Sequence, residues 1–153
     1  MALQAGDAAP DFSLKDDLGQ ARTLSEFKGK KVVIYFYPRD NTPGCTTEAL
    51  NFSDLSHEFA AQGVEILGVS PDSVASHAKF KDKHELPFTL LSDESHDMME
   101  AYGAWGEKTL YGRKSVGVIR STVIIDEDGK VAKAFPRVRV KGHVDKVLAC
   151  FTQ

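Results

Sequence analysis

Val32 to Tyr37 reads VVIYFY, wholly apolar or aromatic and rich in β-branched residues, and it runs directly into Pro38-Arg39-Asp40-Asn41-Thr42-Pro43-Gly44-Cys45. A short run of this kind, uniform and not alternating, is a strand buried on both faces. Such a strand needs a layer above it and a layer below it, which restricts the chain to a sheet sandwiched by helices. The remaining segments supply those parts. Val64 to Val69 and Ser121 to Ile125 read as further core strands, and Phe88 to Leu91 as a short one. Asp126-Glu127-Asp128-Gly129 is a turn, so Val131 to Phe135 returns as the second arm of a hairpin. Phe52, Leu55 and Phe59 recur at helical spacing between Thr46 and Gln62, with Gly63 as the stop. Shorter helices are expected over 73–84 and 94–102. Val144, Val147, Leu148 and Phe151 mark an amphipathic helix at the C-terminus. The expectation is one α/β domain over residues 1–153, with a mixed central sheet flanked by helices.

Charge and cysteine usage exclude several classes of function. Nineteen Lys and Arg face twenty-two Asp and Glu, a net charge of −3, which offers no clustered basic surface for nucleic acid or an anionic membrane. No apolar run approaches the ~20 residues that span a bilayer, and residues 1–11 contain no signal-peptide core. A cytoplasmic, reducing location is therefore expected. Two cysteines, Cys45 and Cys150, are too few and too far apart for a disulfide scaffold, a CxxC redox pair or a zinc half-site. His57, His77, His84, His96 and His143 show no metal-ligand spacing. No glycine-rich nucleotide loop is present. Neither metal nor cofactor is expected.

The chemistry concentrates where the first strand meets the long helix. Cys45 falls within one turn of that helix's N-terminus, where unpaired N–H groups carry about half a positive charge and favour a thiolate. Pro43-Gly44 lets the backbone turn tightly before it. Thr42 offers a hydroxyl beside the sulfur, and Arg39 or Arg120 can add positive charge. The plain alternative is a buried, inert cysteine. The residues alone reach a reactive thiolate and leave its electrophile open.

Pro38, Thr42 and Cys45 match Pro-x-x-x-Thr-x-x-Cys, and the string from Phe36 to Ala49 (FYPRDNTPGCTTEA) resembles the peroxiredoxins of the bacterioferritin comigratory protein, or PrxQ, subfamily. The resemblance extends to Gly6-Asp7, Pro10-Asp11-Phe12, Gly68-Val69-Ser70, Phe88 to Asp93, Gly103 to Lys108 and Arg120 to Asp126. It implies a thioredoxin-like fold of peroxiredoxin type with extra N-terminal structure. The implied activity is thiol-dependent reduction of hydrogen peroxide and organic hydroperoxides through a Cys45 sulfenic acid. Thr42 and loop N–H groups would hold the peroxide, Arg120 would stabilise the thiolate and the developing oxyanion, and Pro38 would shield the sulfur.

Family members often carry a second, resolving cysteine. Here its usual places hold Leu50, on the Cys45 helix, and Lys81, on the next one. Cys150 is expected to be structural. A one-cysteine cycle follows, recycled by thioredoxin, glutaredoxin or a small thiol, in a monomer in preference to a dimer. Two other readings stand beside it: a non-enzymatic thioredoxin-fold redox sensor or adaptor forming mixed disulfides through Cys45, and a general thiol–disulfide oxidoreductase, against which the missing CxxC counts. Lys79 to Lys83 reads as a solvated helix face, Met98, Met99 and Tyr102 as packing residues. The stretch 105–117 reads as a mobile loop near the active site or a surface association patch.

Overall fold

The computed structural model describes residues 3–152; residues 1, 2 and 153, the ends of the expected domain, lie outside the described residues. In chain order the elements are β1 (Ser13–Asp16), β2 (Ala21–Thr23), a 3-10 turn (Leu24–Phe27), β3 (Lys31–Phe36), α1 (Pro43–Asp54), α2 (Ser56–Ala61), β4 (Val64–Ser70), α3 (Val74–His84) and β5 (Thr89–Ser92). There follow α4 (Asp97–Ala101), β6 (Trp105–Leu110), β7 (Arg113–Val118), β8 (Ser121–Ile125), β9 (Val131–Phe135) and α5 (His143–Ala149). Seven strands form one mixed sheet in the order β2-β1-β5-β4-β3-β8-β9. Within it β3, β4 and β5 run parallel, while β8 lies antiparallel to β3. This is the thioredoxin-like arrangement that the sequence suggested.

Alternation along β3 divides the interior in two. Val32, Ile34 and Phe36 join one apolar cluster with Leu67, Val69, Met98, Met99 and Tyr102. Val33, Tyr35 and Tyr37 join the other with Cys45, Phe52, Phe59, Phe80 and Val147. Thus α1, α2, α3 and α5 cover one face, and α4 with the 3-10 turn covers the other. Every residue from Val32 to Tyr37 is at most 1% exposed. Burial on both sides is the physical reason this run has no polar position. Tyr35 pairs across the parallel ladder with Gly68, and a Cβ there would stand 2.9 Å from the Tyr35 ring and from Leu90 Cδ2. The glycine is what allows a tyrosine ring to lie flat over β4.

Four segments depart from the sequence expectation. The long helix starts earlier, at Pro43, and is interrupted at Leu55 (φ −101°, ψ 9°), so that α1 and α2 are separate. The break falls in Ser53-Asp54-Leu55-Ser56, where three short polar side chains compete for backbone hydrogen bonds. The helix expected over 94–102 shrinks to α4. The hairpin of β1 and β2 was not anticipated, because its strands are short and polar. Finally, the stretch 105–117 is not a loop: β6 and β7 form a regular antiparallel hairpin. Tyr111 (φ 54°) and Gly112 (φ 76°) make its two-residue turn, both in the left-handed region that such tight hairpins require. Its charged residues sit in adjacent pairs, Glu107-Lys108 and Arg113-Lys114, so the sequence shows no alternation to announce a strand.

The lysine-rich run is also not a uniform solvated face. Phe80 within it is fully buried, and Lys81 Nζ pairs with Asp17 at 3.2 Å. Among the described residues no helix is long and apolar enough to cross a membrane.

Candidate active site

The carboxyl end of β3 points the chain into the segment Pro38–Thr42, and α1 begins immediately after it. Thr42 is the N-cap residue and Pro43 the first helical one, where its missing N–H costs nothing. The first intrahelical bond runs from Thr46 N–H to the Thr42 carbonyl at 2.9 Å. The N–H groups of Gly44 and Cys45 therefore have no partner within the helix. A capping side chain would normally take one of them. Thr42 does not cap; its hydroxyl donates backward to the Arg39 carbonyl at 2.8 Å. Cys45 sits in this first turn, 1% exposed, with two free N–H groups and a positive helix end beside it.

Arg120 arrives from the other side. It immediately precedes β8, whose Ser121 is paired with Phe36 at the end of β3. Antiparallel pairing thus brings Arg120 to the same end of the sheet as Cys45. Its Nη2 donates to Cys45 Sγ at 3.3 Å and its Nη1 donates to Glu48 Oε1 at 2.6 Å. It passes close to Gly44, where a Cβ would stand in ordinary contact, 3.4 Å from Nη2. The guanidinium holds a cation against the sulfur with its planar fork shared between two acceptors. Arg39, the other candidate, is exposed and contributes only its carbonyl to Thr42. Pro38 is half-buried at the start of the segment.

Glu48 was not singled out in the sequence, although it lies three residues after Cys45 and so on the same helix face. It is fully buried, and its Oε2 accepts no hydrogen bond. Burial pushes its carboxyl up to about 7, with the charge and hydrogen bond of Arg120 only partly opposing the rise. Burial acts to lower the Arg120 pKa, but Glu48 and Cys45 more than offset it and raise the value. A glutamate inside the apolar stripe of an otherwise amphipathic helix was the available signal.

A second polar group underlies the loop. Asp40 accepts from Tyr37 Oη at 2.6 Å and from Ser76 Oγ at 2.8 Å, and it pairs with His77 Nδ1 at 2.8 Å. The other nitrogen of His77 faces the Leu91 carbonyl at 2.9 Å. Burial acts to raise the Asp40 carboxyl, but His77, Tyr37 and Ser76 outweigh it and hold it below its ordinary value. Asp40, Asp72 and His77 have ligand atoms within 4.8 Å of one another. Their polar atoms already serve Tyr37, Ser70, Ser76 and backbone groups, and a cation would have to displace those hydrogen bonds. The residues come from a loop, the turn after β4 and α3, and so left no spacing in the sequence.

The remaining sequence candidates lie apart from this centre. Leu50 is 37% exposed on α1. Lys81 is engaged with Asp17. Cys150, at the end of α5, donates its thiol to the Lys146 carbonyl at 3.4 Å and shares a groove with Lys31, Ile125 and Lys133. Lys31 opens β3 and Cys45 follows its close, so the two thiols lie toward opposite ends of a strand about 16 Å long.

Comparison with known proteins points the same way. The AhpC/TSA family model matches residues 5–134. The chain is 48% identical over 148 residues to peroxiredoxin Bcp of Bacillus subtilis, covering 97% of this chain and 94% of that protein. Against peroxiredoxin Bcp of Escherichia coli it is 43% identical over 146 residues, covering 95% and 94%. Among solved structures, the bacterioferritin comigratory protein of Xanthomonas campestris, described for its alkyl peroxide reduction activity, superposes with a TM-score of 0.90 at 42% identity, covering 98% of this chain and 96% of that one.

Proposed function

The chain belongs to the AhpC/TSA family, as a thiol-dependent peroxidase of the peroxiredoxin Bcp (PrxQ) type, and on that premise we propose that Cys45 is its peroxidatic nucleophile, served by Arg120, Thr42 and Pro38. One observation carries this assignment: Arg120 Nη2 lies 3.3 Å from a sulfur set in the first turn of α1. The Cys45 thiolate attacks one oxygen of ROOH in line with the O–O bond. A sulfur–oxygen bond forms, the O–O bond breaks, and RO⁻ leaves to collect a proton, giving Cys45–SOH and ROH. Charge moves from sulfur to the leaving oxygen, so donors that serve both ends stabilise the transition state more than the ground state. Arg120 and the N–H groups of Gly44 and Cys45, which have no partner within the helix, are the donors this reading assigns to that task. Thr42 Oγ1, its hydrogen committed to Arg39, presents lone pairs that accept from the O–H of the peroxide. Pro38 keeps the sulfur dry.

The nearly complete burial of Cys45 favours small substrates, hydrogen peroxide and compact organic hydroperoxides. The alkyl peroxide reduction described for the Xanthomonas protein extends to this chain on the same reasoning. Leu50 and Lys81 leave no thiol at either usual resolving position, and Cys150 stands at the far end of β3, well beyond the ~7 Å between Cα atoms that a disulfide tolerates. We therefore read the cycle as one-cysteine. An external thiol attacks the sulfenic acid, releasing water, and a second thiol clears the mixed disulfide. Because the sulfur is buried, the first turn of α1 must open to admit that thiol. Thioredoxin, glutaredoxin or a small thiol fits this role, in a cytoplasmic setting that keeps thiols reduced. A monomer is the reading for the assembly, since the exposed large apolar side chains among the described residues fall at three separate places: Leu18 in the β1–β2 turn, Leu50 on α1, and Tyr111 with Val116 on the β6–β7 hairpin.

The test is a single turnover. Reduced protein is mixed with one equivalent of hydrogen peroxide, and Cys45 oxidation is followed by rapid quench, intact mass and peptide mapping. Fast oxidation, abolished by Cys45→Ser, is expected. A rate no higher than that of free cysteine overturns the assignment.

A further inference from the structure

Thr42 can accept a hydrogen bond from the peroxide only while its own hydrogen is held elsewhere, and the Arg39 carbonyl is what holds it, at 2.8 Å. That carbonyl is half of a peptide unit whose other half is the Asp40 N–H. In a planar trans peptide the C=O and N–H point in opposite directions, so fixing one fixes the other. The Asp40 N–H donates to Asp72 Oδ2 at 2.7 Å. Asp72 lies outside the segment 38–45 and does not touch Cys45, Arg120 or Glu48.

Asp72 is itself fixed from several sides. Ser70 Oγ donates to the same Oδ2 at 2.6 Å, and the Asp72 N–H donates to Ser70 Oγ at 3.1 Å. Ser92 Oγ donates to the Asp72 carbonyl at 2.6 Å. These contacts tie it to the ends of β4 and β5, the parallel core of the sheet. Asn41, the next loop residue, stands at φ 63°, a left-handed conformation that Asn accepts more readily than most residues.

We propose that Asp72 is a positioning residue for the peroxidase reaction: by accepting the Asp40 N–H it orients the Arg39 carbonyl, which takes the Thr42 hydrogen and leaves Thr42 Oγ1 as an acceptor facing the hydroperoxide. The proposal rests on the reading of Cys45 and Thr42 given above. It assigns to Asp72 an effect on peroxide alignment and none on the sulfur itself, whose neighbours are Arg120 and the helix N-terminus.

The experiment compares two electrophiles on the full-length reduced chain. Hydrogen peroxide needs the Thr42 acceptor; iodoacetamide, which alkylates the sulfur, does not. Asp72→Ala should lower the rate with peroxide about tenfold or more while changing the alkylation rate by less than about twofold. Asp72→Asn, whose carbonyl oxygen can still accept the Asp40 N–H, should stay close to wild type. In a Thr42→Val background Asp72→Ala should cost nothing further, since both act on one interaction. Equal loss in both reactions, no loss with peroxide, or additive losses with Thr42→Val overturns the proposal. If Asp72→Ala does not fold, Ser70→Ala, which loosens the same carboxylate, is held to the same selective loss. Slow peroxide oxidation of the wild type would instead remove the peroxidase assignment itself, before any variant is compared.

Discussion

Arg120 and Cys45 stand 75 positions apart in the chain, yet a guanidinium N–H of one lies 3.3 Å from the sulfur of the other. Neither the helix that carries Cys45 nor the strand that follows Arg120 makes this contact alone. It exists because β8 runs antiparallel to β3 and brings its first residue beside the last residue of that strand. The same guanidinium is shared with Glu48, so one cation serves two acidic groups in a buried setting.

Removing that cation should affect chemistry far more than stability. Arg120→Met is expected to lower the second-order rate with hydrogen peroxide by about 100-fold or more, the usual scale for a lost oxyanion donor. Arg120→Lys should recover part of it, because an ammonium cannot reproduce the planar fork between Sγ and Oε1. Unfolding in urea should shift only modestly for Arg120→Met: Glu48, freed from the cation, takes up a proton and avoids a bare buried charge. Stopped-flow oxidation and urea titration check the two halves separately.

Opposed titrations should flatten the pH dependence of stability. The carboxyl of Glu48 is raised from 4.5 to about 7. It therefore favours the folded state at low pH, and that advantage is lost as pH rises from about 4.5 to about 7. His143, which shares a 2.8 Å hydrogen bond with Thr122, is lowered from 6.5 to about 4 by burial, then by the charges of Lys146 and Arg120. Its contribution is present above pH 6.5 and is lost as pH falls toward 4. Between those limits the folded state holds one more proton at Glu48 and one fewer at His143, so the slopes oppose each other. Glu48→Gln should leave a stability that rises with pH across this window, and His143→Gln one that falls, each by about 1–3 kcal/mol. Urea midpoints measured from pH 4.5 to 7.5 decide it; parallel profiles for all three proteins would refute the assignment.

Cys150 should prove dispensable. One equivalent of peroxide should add one oxygen to Cys45 in the wild type and in Cys150→Ser at the same rate, followed by a mixed disulfide when thiol is supplied. Loss of two hydrogens with a linked Cys45–Cys150 peptide would mean that the chain opens far more widely than the separation along β3 permits.

Gly68 tests the packing behind the site. A Cβ there stands 2.9 Å from Leu90 Cδ2 and from the Tyr35 ring, so Gly68→Ala must push a stacked aromatic off the sheet. The expected cost is about 1–3 kcal/mol, read as a lower urea midpoint. Because Tyr35 stacks on Phe52 of α1 at 4.5 Å between ring centroids, the displacement should also slow peroxide oxidation.

The amino-acid order alone determined the buried strand VVIYFY, the helix after it and Cys45 in the first helical turn, because these are local matters of hydrophobic period, turn residues and unpaired N–H groups. The motif residues Pro38, Thr42 and Cys45 lie close together in the chain, so their resemblance to a known family was legible before any folding. The resemblance pointed to Arg120, but only tertiary structure brings its guanidinium to the sulfur, lets Glu48 share it, and gathers Asp72, His77 and Asp40 beneath the loop. Tertiary structure also turned 105–117 into a hairpin and carried Cys150 to the far end of β3. Each of these depends on strand order and on burial shared between distant segments. Contacts of that kind leave no period in the sequence, because the chain separation that divides the partners carries no energy until the sheet has closed the distance.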